Sequence, residues 1–320
     1  MSSSQLTLVI PIYNEEPVIP ELDRRLKEFF QKCPLAYEVI FVNDGSVDRS
    51  LELLKNISAQ SSHYTVLSLS RNFGHQNAIT AGMDHAQGDA VVVIDADLQD
   101  PPEVILEMVK KWQEGFDIVY AIRSERDGES FFKKITANLF YRFMRKMVGI
   151  KMPLDAGDFR LMSRRSILTL NALRETNRFI RGLVAWTGFK STEVHYKREK
   201  RFAGTTKYPL RKMLKFAFDG ITTFSTVPLR VATWLGLFSG LVAMTAAGWA
   251  VYEKFFAEGV VQGWTTIMLA VALGSSAQLL MIGILGEYIG RIFEEVKRRP
   301  LYVVQESINA ETGDLNVGKK

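Results

Sequence analysis

The first third of the chain alternates short, continuously apolar runs with longer segments in which apolar residues recur every three or four positions. Residues 6–10, 37–42, 65–69, 91–94 and 117–122 are β-prone and apolar. They read as buried strands. Residues 21–31, 46–60, 76–86 and 103–114 carry the helical period, and Ser46 or Asp48 stands where a cap opens the second helix. Strand and helix at short, regular spacing predict an α/β fold, a mainly parallel sheet covered on both faces. Further on the period disappears. Residues 231–252 and 259–286 contain no charged side chain. Each is long enough to cross ~30 Å of hydrocarbon as a helix. Residues 131–148 and 208–218 mix aromatic or aliphatic residues with Lys and Arg, the pattern of helices lying at a membrane interface.

Polar residues collect where the strands end. Tyr13, Asn14 and Glu15 follow the first strand, Asp44 the second, Arg71 and Asn72 the third, Asp95 and Asp97 the fourth, and Arg123 the fifth. A parallel sheet brings all these strand ends to one edge, where open α/β sheets bind ligands. Any one of these clusters suits a solvated turn; five on one edge predict a site. Asp95 and Asp97 repel one another at such a rim, and a divalent cation relieves the repulsion. Oxygen ligands of this kind suit Mg²⁺ or Mn²⁺, completed by substrate phosphate and water. An arginine beside a metal-bound dicarboxylate fits a diphosphate.

Four motifs in this order, Pro11-Ile-Tyr-Asn-Glu15, Asn43-Asp-Gly-Ser46, Arg71-Asn-Phe-Gly74 and Asp95-Ala-Asp-Leu-Gln-Asp-Pro101, resemble the family 2 glycosyltransferases with the nucleotide-sugar-binding GT-A fold. Gly157-Asp-Phe-Arg-Leu-Met162, Arg201-Phe-Ala-Gly-Thr-Thr-Lys-Tyr208 and Gly286-Glu-Tyr-Ile-Gly-Arg291 resemble its polyprenyl-phosphate branch. That branch includes bactoprenol-phosphate glucosyltransferases, aminoarabinose-type transferases and, more distantly, dolichol-phosphate mannose synthase. The resemblance spans residues 6–302. It implies transfer of a sugar, glucose first, from a UDP-sugar to undecaprenyl phosphate with inversion. The product would be a lipid-linked monosaccharide for cell-envelope or O-antigen glycans, handed to a flippase and a second glycosyltransferase. Other sugars (4-formamido-arabinose, N-acetylhexosamine, mannose) and a non-catalytic nucleotide-sugar-binding scaffold are the alternatives.

By the same resemblance Pro11, Tyr13, Glu15 and Asp44 hold the uridine, with Arg71 and Arg123 completing the nucleotide-sugar contacts. Asp95, Asp97 and Gln99 meet the metal and diphosphate. Asp158 stands at the reacting centre, as a base or as an orienting group, and Arg201 and Lys207 hold the lipid phosphate. His75 departs from the pattern: glucosyltransferases of this branch often carry Lys there.

The organisation expected is a GT-A domain over 1–205, an interface segment over 206–229, two spans (about 231–252 and 263–286) within 230–290, and a tail over 291–320. Arg211, Lys212, Lys215 and Arg230 precede the first span, and Arg291, Lys297, Arg298 and Arg299 follow the second. The positive-inside rule then puts the catalytic domain and both termini in the cytoplasm and the protein in the inner membrane. Gly236, Gly240, Gly274, Gly283 and Gly286 suit close helix packing, within the hairpin or in a homo-oligomer. The polar residues after Tyr302 read as a poorly ordered end. The single Cys33 allows no internal disulfide, in keeping with a reducing compartment. The net charge is +5, yet the basic residues flank membrane-like segments and no nucleic-acid motif accompanies them.

Overall fold

The computed structural model describes residues 6–124, 156–199, 226–256 and 263–310. The chain divides into two compact units, Met1–Tyr208 with Arg298–Lys320, and Pro209–Lys297.

The first unit is built on one eight-stranded sheet. Its strands are β1 (Leu6–Ile12), β2 (Tyr37–Asn43), β3 (Tyr64–Leu69), β4 (Ala90–Val93), β5 (Ile118–Arg123), β6 (Ala156–Ser163), β7 (Ser191–Tyr196) and β8 (Val304–Ile308), in the order β7-β5-β6-β4-β1-β2-β3-β8. The β4-β1-β2-β3 core is parallel, with Leu6 level with both Tyr37 and Ala90. Every β1 residue is buried, and so is every β4 residue. A strand covered on both faces has no use for alternation, which is why these segments read as unbroken apolar runs.

Helices α1 (Ile19–Lys32), α2 (Ser50–Ser58), α3 (His75–His85), α4 (Val104–Gln113), α5 (Arg164–Ala172) and α6 (Ile180–Trp186) accompany the sheet. In α1, Pro20 occupies the first turn, where its missing N–H costs nothing. Ile19, Leu22, Leu26, Phe29 and Phe30 form its buried stripe. Each such side chain contributes on the order of 2 kcal/mol by leaving water. Asp48 Oδ1 accepts the Ser50 N–H at 3.0 Å at the start of α2, whereas Ser46 Oγ accepts from Asn14 N instead.

Two strands change the expected picture. β6 runs antiparallel between β4 and β5, pairing Val93 with Arg160 and Tyr120 with Arg160. An antiparallel strand begins at the edge where its parallel neighbours end. The start of β6, with Asp158, is thereby delivered to the edge that carries Asp95 and Arg123. The second is β8, which corrects the expectation of a disordered end after Tyr302. Val304–Ile308 pairs antiparallel with β3. Leu301 and Tyr302 are buried, and Lys55 Nζ pairs with Glu306 at 2.7 Å. Asn309 Nδ2 donates to the carbonyls of Ser58 and Tyr64, both at 3.0 Å. The edge of β3 is thus covered by the chain's own return strand.

The second unit contains α7 (Val227–Phe256) and α8 (Trp264–Val296). Within α7, Val227–Trp249 is long and apolar enough to cross a membrane. The second expected span falls inside α8. Large apolar side chains stand exposed along both helices, among them Trp234, Phe238, Met244, Leu279 and Ile282. A helix apolar all round is matched to lipid or a protein core and not to water. Gly236 faces α8, where a Cβ would come within 3.3 Å of Met281 Sδ. A Cβ at Gly240, Gly274, Gly283 or Gly286 would meet nothing within 4 Å among the described residues, so among these only Gly236 is seen to serve packing inside this hairpin.

Candidate active site

The loops at the C-terminal ends of β1, β2 and β3 are tied to one another by backbone-directed hydrogen bonds. Asn14, in the left-handed region at φ 55°, accepts the Val47 N–H through Oδ1 at 2.9 Å. The Asp44 carboxylate accepts the N–H groups of Phe73 (2.7 Å) and Gly74 (3.0 Å). Burial pushes the Asp44 carboxyl up, against the opposing pull of these two amides. Gly45, at φ 66°, lets the backbone of Arg71 and Asn72 come so near that any Cβ would collide with it. Pro11 is buried, Tyr13 is exposed, and the Glu15 N–H donates to Ser50 Oγ. The Arg71 guanidinium lies 4.1 Å from the centre of the Phe73 ring. Pro11, Tyr13, Glu15, Asp44 and Arg71 therefore do share one edge, with Asp44 used to join two loops.

Next along the edge comes the Asp95–Asp100 loop. Leu98 sits at φ 58°, a costly conformation for a branched residue, and such strain gathers at functional sites. Asp97 is buried and its Oδ1 accepts the Gln99 N–H at 3.2 Å. The Gln99 carbonyl accepts the Glu199 N–H at 2.9 Å, docking the segment after β7 on this loop. Asp100, 2% exposed, was not singled out from the sequence. It accepts a hydrogen bond from the Tyr196 hydroxyl and stands 3.6 Å from Arg198 Nε and 4.0 Å from an Arg123 nitrogen. Arg198 also reaches within 4.0 Å of Asp97. Arg123 is thus brought to the aspartate loop as expected, through Asp100.

Asp95 differs from its neighbours. Its Oδ1 is enclosed and has no hydrogen-bond partner among the described residues, although the side chain keeps 30% exposure. Burial is the largest cause of its raised pKa, about 6; His75 opposes the rise, and Asp158, Asp100 and Asp97 add to it. No described group of three or more His, Cys, Asp and Glu side chains can hold a metal alone. Asp95 and Asp97 fit the lesser requirement of Mg²⁺ or Mn²⁺, which take one or two carboxylates and draw the remaining oxygens from substrate and water.

Asp158, 6% exposed, is enclosed by Arg160, Arg181 and His75, from three elements. Its Oδ1 accepts from Arg160 at 3.1 Å and from Arg181 Nε at 2.9 Å. Its Oδ2 accepts from the second Arg181 nitrogen at 2.8 Å and lies 3.4 Å from His75 Nε2. Burial by itself would raise the Asp158 pKa; Arg181, then His75 and Arg160, reverse this and hold it well below the usual carboxylate range. His75 also stands 3.5 Å from Asp95 Oδ1, bridging the two aspartates. Partial burial works against charge on His75, but Asp158 and Asp95 outweigh it and raise the imidazole above its ordinary value. Arg181 was missed by sequence reasoning. It opens α6, whose first N–H, from Ile180, donates to Gln76 Oε1 on α3 at 3.0 Å.

Asp95, Asp97, Gln99, Asp158, Arg123 and His75 are therefore brought together. Arg201 and Lys207 lie outside the described residues, as do the two expected interface segments, 131–148 and 208–218.

Residues 7–170 match the family described as glycosyl transferase family 2, and residues 227–292 match the one described as GtrB C-terminal hairpin. An uncharacterized glycosyltransferase, YkcC of Bacillus subtilis (strain 168), is 52% identical over 97% of this chain and 96% of its own length. The bactoprenol glucosyl transferase of Shigella phage SfII is 40% identical over 95% of this chain and 98% of its own. Among solved structures, mannosyl-3-phosphoglycerate synthase from Rubrobacter xylanophilus matches with a TM-score of 0.47 at 20% identity, covering 68% of this chain and 71% of that one. The chain belongs to glycosyltransferase family 2: it is a glycosyltransferase of the GT-A fold with a GtrB-type membrane hairpin at its C-terminal end.

Proposed function

We infer that this enzyme transfers glucose from UDP-glucose to undecaprenyl phosphate, or a similar polyprenyl phosphate, at the cytoplasmic face of the inner membrane. The observation that carries the donor half is the enclosed Oδ1 of Asp95, without a hydrogen bond among the described residues, beside buried Asp97 at the sheet edge that also holds Arg123. Near-full-length relatives named as bactoprenol glucosyl transferases support the sugar and the lipid acceptor. The hairpin family match and the apolar Val227–Trp249 helix support a membrane-borne acceptor. The basic residues that flank the hairpin are the argument for cytoplasmic termini.

Asp95, Asp97 and Gln99 would hold a divalent cation, Mg²⁺ or Mn²⁺. When bound it supplies Lewis-acid stabilisation of charge on the departing diphosphate. The chain's own part is placement. Pro11, Tyr13, Glu15 and Asp44 frame the nucleotide end, and Arg71 and Arg123 face the donor from the neighbouring strand ends. A phosphate monoester is already anionic near neutral pH, so the acceptor needs orientation more than deprotonation. Arg201 and Lys207 are suited to hold it. Attack by the phosphate oxygen on the anomeric carbon forms the new bond as the bond to UDP breaks on the opposite face, which inverts the centre. Proximity in such an arrangement is the larger effect.

The test uses purified protein in detergent with undecaprenyl phosphate. Labelled UDP-glucose, UDP-galactose, UDP-N-acetylglucosamine and GDP-mannose are offered separately, each with Mn²⁺, with Mg²⁺ and with EDTA. Label should pass to lipid from UDP-glucose and not in EDTA. Transfer from a different donor corrects the sugar, and transfer from none overturns the reading.

A further inference from the structure

Asp158 is the residue one would choose as a general base, because it is a carboxylate at the reacting centre. Its hydrogen bonding argues otherwise. An ionised carboxylate offers about four lone-pair directions, two per oxygen. Here Oδ1 takes Arg160 and Arg181 Nε, and Oδ2 takes the second Arg181 nitrogen and faces His75. Oδ1 holds two hydrogen bonds, Oδ2 holds one and has His75 Nε2 3.4 Å away, and the side chain is 6% exposed. The one direction left on Oδ2 is faced by His75, so an acceptor has no open approach from which to hand over a proton. The groups around it are more open: the Arg181 side chain is 29% exposed and His75 42%.

We propose that Asp158 is a positioning residue that acts through Arg181 and His75, and that Arg181, a cation on the site's open face, is the group that meets the anionic substrate. The bidentate pair fixes the guanidinium plane, which a single-point contact would leave free to rotate. The α3–α6 junction fixes the element behind it, because Gln76, adjacent to His75, ties down the first N–H of α6. One buried carboxylate thereby sets the orientation of groups from α3, β6 and α6 at once.

This inference rests on the proposed transfer reaction, and one set of variants separates the two. Sugar transfer to undecaprenyl phosphate is measured for wild type, Arg181→Gln, Arg181→Lys, Asp158→Asn and the Arg181→Gln/Asp158→Asn double variant. Melting curves of each establish that it is folded. Loss of orientation by about 1 Å costs on the order of 100-fold in rate. Arg181→Gln and Asp158→Asn are therefore each expected to lose about 100-fold in kcat, with the KM for UDP-sugar within about twofold. The double variant should be no worse than either single variant, because residues acting as a unit are non-additive. Arg181→Lys keeps the charge and should recover about tenfold over Arg181→Gln. A general base predicts a different outcome: Asp158→Asn far more damaging than Arg181→Gln, with losses that multiply. That result, or Arg181→Gln turning over like wild type, overturns the inference while leaving the reaction standing. A wild type that transfers no sugar overturns the reaction and the inference with it. If Arg181→Gln does not fold, guanidinium rescue of folded Arg181→Ala decides: recovered kcat supports the inference and none opposes it.

Discussion

Asp95 and Asp158 are the same residue type, a few ångströms either side of His75, and their surroundings are opposite. Asp95 has an enclosed oxygen with no hydrogen bond among the described residues, only His75 3.5 Å away, and a pKa raised to about 6. Asp158 takes three hydrogen bonds from two arginines and is held well below the usual carboxylate range. The first has no arginine against it among the described residues; the second is ion-paired to two. Within one sheet edge the fold spends its arginines on the carboxylate that must not move and withholds them from the one that must accept a ligand.

The largest effect should come from the Asp95 side. Asp95→Ala should reduce sugar transfer by about 1000-fold, the scale for deleting one group aimed at developing charge. EDTA should do the same to wild type and nothing further to the variant. Retained EDTA sensitivity in Asp95→Ala would show that the cation is held without Asp95, and the contrast would fail.

Stability sharpens the contrast further. Removing the anion from the Asp158 cluster leaves the buried Arg160 without its counter-ion, which costs roughly 3 kcal/mol. Asp158→Asn should therefore lower the melting temperature at pH 7. The sign with pH is fixed by the lowered pKa. The stabilisation is present above 3.8, the ordinary value, and is lost as pH falls through the lower folded one. Asp158→Asn and wild type should converge in strong acid. Equal melting at pH 7 would mean that the cluster is not the anchor its geometry implies.

The strand ends that build this edge were legible in the sequence, because an apolar run followed by a polar cluster marks the end of a buried strand. Asp95, Asp97 and Asp158 were found that way or by resemblance. Arg181 was not. Its partner Asp158 lies 23 residues earlier, and only the antiparallel insertion of β6 and the turn into α6 bring them together. Asp100 was overlooked beside Asp97, although its place three residues on in the same loop was a signal. β8 was misread because a polar strand at a sheet edge has no apolar run; its stability comes from pairing with β3 and from Lys55 and Asn309.

Asp95→Asn should move stability the other way. A carboxylate whose folded pKa is raised destabilises the fold increasingly as pH rises from 3.8 through about 6. Replacing it should raise metal-free stability at pH 7.5 by on the order of 2 kcal/mol, or several degrees in melting temperature. The gain should vanish near pH 4. Mn²⁺ with UDP should raise the melting temperature of wild type and leave that of Asp95→Asn unchanged. A variant less stable than wild type in EDTA would place Asp95 with Asp158 as a structural anion.

The smallest effect tests whether saturation by arginine has catalytic meaning by itself. Asp84, on the last turn of α3, accepts two hydrogen bonds from Arg174 at 2.7 and 2.8 Å and one from the Tyr302 hydroxyl at 2.7 Å. It resembles Asp158 in its partners but lies about 14 Å from His75 along the same helix. Tyr302→Phe removes one neutral donor and should cost about 1 kcal/mol of stability. The kcat and KM for sugar transfer should stay at wild-type values. If kcat fell as in Arg181→Gln, the position of Asp158 at the sheet edge would not be what makes its arginine pair matter. The catalytic contrast would then belong to α3 as a whole, held at one end by Asp158 and at the other by Asp84.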